Sequence, residues 1–207
     1  MIRRPLLFVM LSSLCLPARA LPAERAWTDV TVRVYDAAPV ADADRVRALA
    51  IAATVLAPAE IEMHFVHCST AVAEPACGET LGADELALRL VRGSTPLLPA
   101  AGLQPLGDAL VDTRRRKGAL ATIYVGRVQW LARESHADAT VLLGRAIAHE
   151  LVHALSGQSA HAPRGLMRAV WSAREVATDR AEDWRLHEAE KALLRSRRRQ
   201  VAVLAAR

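Results

Sequence analysis

A chain of 207 residues fits one domain with a full hydrophobic core. Its formal charge of +5 includes Arg3, Arg4 and Arg19 in an opening stretch of twenty residues without an acid, so the remainder carries only +2. A domain so near neutral gives no case for nucleic-acid binding.

The opening stretch reads as a signal peptide. Met1-Ile-Arg-Arg is a short basic start, 6–16 is apolar but too short to span a bilayer comfortably, and Ala18-Arg19-Ala20 puts small residues where a signal peptidase reads. Residues 1–20 are therefore expected to be removed. Residues 21–207 should form a single exported domain, secreted or periplasmic, with no stable membrane insertion after cleavage. Export leaves two cysteines, Cys68 and Cys77, in an oxidising compartment. The eight residues between them include Pro75 and suit a loop closed by a disulfide. The rival, a metal site using both thiols with His64 or His67, matches no zinc-binding cysteine spacing.

From the first strand onward the pattern is α+β. Residues 28–35 (TDVTVRVY) alternate and are rich in β-branched types, which predicts a strand. Asp42 or Asp44 can cap a helix running to about Leu56, with Pro58 at its end. A second strand is expected over 61–66 and a third over 85–91. Residues 93–107 hold three prolines and three glycines and read as loop. A fourth strand is expected over 119–125, followed by a segment to Arg133 compatible with strand or helix. His64 and His67 stand three apart on a strand, so they point to opposite faces and do not share a metal.

Beyond Asp138 the period becomes helical. Leu143, Ile147, Leu151 and Ala154 form one apolar stripe, and Gly157 is placed to end the helix in the left-handed conformation. His149 and His153 stand four apart, so both imidazoles leave one face and reach a single ion. That face is opposite the apolar stripe, so one side of the helix should enter the core and the other hold metal. Glu150 is placed to take a proton from water activated by the metal. Zinc needs a third protein ligand and an open position. His161, just past the Gly157 turn, is the natural candidate. A last helix is expected over 174–198. Its dense basic end, Arg195, Arg197, Arg198 and Arg199, reads as a solvated helix terminus that complements the dipole.

The run from His149 to Met167, HELVHALSGQSAHAPRGLM, resembles the active-site segment of the metzincin metallopeptidases, H-E-x-x-H-x-x-G-x-x-H followed by a turn with a methionine beneath the metal. His149, Glu150, His153, Gly157, His161 and Met167 match in order. Gly157 comes four residues after His153 where the family has three, and His161 eight after it where the family has six. Position 169 is Ala, where some members carry Tyr; Arg168 is the residue left to steady an oxyanion. The resemblance implies a mixed twisted sheet with an active-site helix, a methionine turn and a C-terminal helix. It further implies a zinc peptidase acting on peptides or proteins, with the strand near 120–125 as the cleft edge. A second layout, the gluzincin one, takes its third ligand from a later helix. Glu175, in Glu175-Val-Ala-Thr178-Asp179, resembles that pattern, although acids are common in a first helical turn for their effect on the dipole. A non-catalytic exported zinc-binding protein on the same scaffold is the remaining alternative.

Overall fold

The computed structural model describes residues 28–38, 40–69, 74–82, 84–93 and 105–205. The expected signal peptide lies outside them. Five strands form one mixed sheet in the order β2-β1-β3-β5-β4, with β1 Thr28–Asp36, β2 Ile61–Cys68, β3 Glu85–Val91, β4 Gly107–Asp112 and β5 Lys117–Tyr124. The pairs β1–β2, β1–β3 and β3–β5 are parallel; β4 runs antiparallel to β5.

Alternation decides which face is buried. Val30, Val32 and Val34 of β1, Leu86, Leu88 and Leu90 of β3, and Ala121 and Ile123 of β5 enter the core. Two helices cover that face, α1 Asp42–Leu56 and α4 Ala139–Ser156, and they pack on each other. On the other face Arg33 is only 2% exposed: it pairs with Glu85 and donates to the Glu79 carbonyl at 2.6 Å. The Glu79 and Thr80 carbonyls that accept from it follow the short helix α2 Pro75–Gly78. The loop after β2 is closed by the Cys68–Cys77 disulfide, with Cα atoms 5.6 Å apart.

Three expectations change. The strand over 119–125 is β5, an interior strand, and the edge on that side is β4, which begins at Gly107, the last residue of the run that reads as loop. The ambiguous segment after β5 is helix α3, Val125–Glu134. The single last helix is three pieces: α5 Ala173–Thr178, a 3-10 turn Ala181–Trp184 and α6 Glu188–Ala205. Asp179 ends α5 with φ 46°, so the chain reverses before Trp184 can be reached on a continuous helix. Among the described residues no helix is long and apolar enough to cross a membrane.

Candidate metal centre

Helix α4 carries the site and its ends are well defined. Asp138 accepts from the Thr140 and Val141 amides at 2.8 and 3.1 Å, satisfying two of the free N–H groups of the first turn. Gly157 closes the helix at φ 65°, and a Cβ there would stand 2.1 Å from the Arg116 backbone, so only glycine fits. Between these caps the helix is buried nearly all round, not on one stripe. His149, Glu150 and His153 are each under 8% exposed, like Ile147 and Leu151 on the other side. Strands β5 and β4, α1, α3 and α6 surround it.

The three imidazoles meet. His153 Nε2 lies 3.1 Å from His149 Nε2 and 3.2 Å from His161 Nε2. His149 Nδ1 is 2.9 Å from the Leu166 carbonyl, and His153 Nδ1 is 2.7 Å from the Gln158 carbonyl. A carbonyl oxygen only accepts, so in both rings Nδ1 carries the hydrogen and donates it, and Nε2 presents a lone pair. Two such lone pairs at 3.1 Å do not bond each other, and the arrangement suits a shared cation. A proton is disfavoured. Burial first, and the neighbouring imidazoles second among the lowering causes, push His149 down to about 3; burial also lowers His153 and His161. The donor set, three neutral imidazoles with the Nδ1 hydrogens of two committed to main-chain carbonyls, fits a divalent ion of the zinc type.

Glu150 stands beside this group, not in it. Burial, and then the charge of Asp108, raise its carboxyl to about 8. A bound cation would pull that value down again. The carboxylate lies against the backbone of β4: a Cβ at Gly107 would sit 2.7 Å from Glu150 Cγ, 3.0 Å from its Oε1 and 2.6 Å from the Thr122 carbonyl. Gly107 is thus what lets an edge strand pass over the glutamate. Its significance is invisible in the sequence, where it is one more glycine in a Gly/Pro-rich run.

The segment after the helix folds back as a tight turn. Met167 is buried, and its carbonyl accepts from the Ala162 amide at 2.7 Å. The turn reaches the site through the neighbouring Leu166 carbonyl, which also accepts from Trp171 Nε1 at 3.3 Å. The Trp171 ring stands edge-on to His149, with centroids 5.6 Å apart. Neither this carbonyl nor Trp171 is marked in the sequence, because main-chain acceptors have no residue signature.

Other candidates go elsewhere. Glu175 forms a capping box with Ser172 at the start of α5 and pairs with Arg168. Its carboxylate serves there as a cap and as an ion-pair partner, and the described metal cluster is His149, His153 and His161. Arg168 is buried, with its guanidinium held by Glu175 and by the Gly165 carbonyl at 3.2 Å, and Asp183 at 3.6 Å. These partners hold Arg168 in the turn. His64 and His67 are exposed on β2, the sheet edge opposite β4.

No family model matches the chain, and no curated protein matches it. Among solved structures it is similar to an archaemetzincin from Methanopyrus kandleri, at 18% identity and TM-score 0.48, over 86% of this chain and 98% of that one. It is also similar to a zinc-dependent peptidase from Methanocorpusculum labreanum (strain Z), at 14% identity and TM-score 0.46, over 80% and 99%. The geometry of the site, not this likeness, carries the functional reading.

Proposed function

We propose that the protein is an exported zinc peptidase in which His149, His153 and His161 hold the metal and Glu150 is the general base. The observation that carries this is the convergence of three imidazole Nε2 atoms, 3.1 and 3.2 Å apart, with the Nδ1 hydrogens of His149 and His153 tied to backbone carbonyls. Zinc supplies a Lewis acid that acidifies water and polarises a scissile carbonyl. Glu150 takes the proton of the attacking water and delivers it to the leaving amine nitrogen. Its buried surroundings would keep the carboxylate a strong enough base beside the cation. The Leu166 and Gln158 carbonyls fix ring orientation and tautomer, and Met167 and Gly157 hold the turn and the helix end that present them. Because β4 pairs only with β5 among the described residues, its outer edge is the strand available to an extended peptide. The Cys68–Cys77 disulfide supports the exported reading.

Glu150→Gln tests the mechanism. Gln keeps the size and one hydrogen bond but accepts no proton, so peptide hydrolysis should fall by about a hundred- to ten-thousand-fold with zinc content unchanged. Retained activity would place the base elsewhere. Stoichiometric zinc without turnover on diverse peptides in the natural protein would favour the non-catalytic zinc-binding alternative.

A further inference from the structure

The hairpin joining β4 to β5 ends in four consecutive cations, Arg114, Arg115, Arg116 and Lys117, all exposed. The tip is held in place from below. Asp112 accepts from the Arg114 and Arg115 amides at 3.0 Å each. The Arg116 backbone packs on Gly157 at the end of α4, and Gly118 packs on the Ala154 backbone. Arg116 occupies the left-handed position of the turn, φ 52°, where glycine or asparagine costs least. Arg116 is thus held there against the backbone's preference.

The acid nearest the tip, Asp112, already serves the turn.

We propose that the hairpin tip Arg114–Lys117 forms a docking surface for an acidic segment of the polypeptide substrate. The inference rests on the peptidase reading for the word substrate; the surface itself does not. Its position decides between partners. Strand β4 begins at Gly107 against Glu150 and ends at Asp112 beside the tip. Five residues of strand span about 17 Å. A peptide lying along that edge with its scissile bond at Glu150 reaches the cations within five or six residues, and acidic side chains there gain attraction that salt screens. An anionic bilayer would be drawn by the same charge, but needs no alignment with the metal centre.

The test uses the full chain loaded with zinc and the variant Arg114→Glu/Arg115→Glu/Lys117→Glu, leaving Arg116 to keep the turn. Fluorescence anisotropy follows a labelled Glu/Gly-repeat decapeptide and its Lys/Gly counterpart; hydrolysis is followed on matched neutral and acidic-flanked peptide mixtures; sedimentation follows phosphatidylglycerol vesicles. The natural chain should bind the acidic decapeptide at least tenfold tighter than the variant does, with affinity falling at high salt. The variant should cleave neutral peptides normally and lose its preference for acidic flanks. Equal binding by both proteins would overturn the proposal and leave the peptidase reading standing. Salt-sensitive, variant-sensitive peptide binding without hydrolysis of any peptide would overturn the peptidase reading and leave the surface standing. Vesicle binding without decapeptide binding would replace the peptide by a membrane. A variant that misfolds, judged by circular dichroism and zinc content, is replaced by the Arg114→Gln/Arg115→Gln/Lys117→Gln form, read by the same criteria.

Discussion

His161 is the most exposed of the three imidazoles and the one contributed from outside α4. Its removal leaves two ligands, so His161→Ala should lower zinc affinity by more than about a hundredfold, beyond what loss of an outer-shell partner costs. Glu175→Gln should keep full zinc and lower stability by about 1–2 kcal/mol, since it strips one partner from the buried Arg168 while Asp183 remains. Zinc titration beside urea unfolding separates the two; zinc loss in the Glu175 variant would restore the gluzincin layout. Glu150 adds a pH signature in metal-free protein. Its folded value of about 8 exceeds the ordinary 4.5, so between them the folded chain keeps a proton that the unfolded chain releases, and stability falls as pH rises. His149 works in the other direction, losing stability below 6.5 as the unfolded chain takes a proton the folded one refuses. The two slopes oppose each other from 4.5 to 6.5, and above that Glu150 acts alone. Unfolding of the chelator-treated chain should show a loss of roughly 2 kcal/mol from pH 6.5 to 8, absent in Glu150→Gln. An equal loss in both proteins would assign the slope to another group.

Helix α4 shows which features of an element are local. Its start at Asp138, its stop at Gly157 and its i, i+4 histidines are all set by residues within a few positions of one another. Asp138→Ala should cost about 1 kcal/mol through the cap. Gly157→Ala should cost more, because the left-handed φ alone is worth about 1 kcal/mol and the new Cβ would also meet the Arg116 backbone. Thermal unfolding of both variants checks the order; a milder Gly157→Ala would mean the hairpin tip yields freely. Strand β4 shows the converse. Its sequence, Gly107-Asp-Ala-Leu-Val-Asp112, has a glycine start and acids at two of its six positions. Pairing with β5 makes it a strand where propensity does not. The last helix fails for a related reason: periodicity runs through 174–198, but the turn at Asp179 lets Trp184 pack on Trp171, with ring centroids 5.1 Å apart.

At the scale of the molecule the sheet order separates two functions. The disulfide closes a loop at the β2 side, and the metal centre lies towards β4, at the other edge. Cys68→Ser/Cys77→Ser should therefore lower stability by about 2–3 kcal/mol through loop entropy and leave zinc content and activity intact. Urea unfolding with metal analysis checks this; lost zinc would mean that the sheet transmits the change.

The sequence by itself determined the α1 and α4 helices, four of the five strands, the disulfide pair, and the histidines and glutamate of the candidate centre, His161 included. Each of these follows from period, capping chemistry or short spacing, which act over a few residues. Only the tertiary structure decided that α4 is buried nearly all round, that β4 passes over Glu150 at Gly107, and that Leu166 and Gln158 orient the rings. It also decided that Arg168 pairs with Glu175, and that the basic hairpin packs on the end of α4. These depend on which distant segments come into contact. Burial makes an uncompensated charge or an unpaired carbonyl costly enough to choose its partner, and no local pattern records that choice.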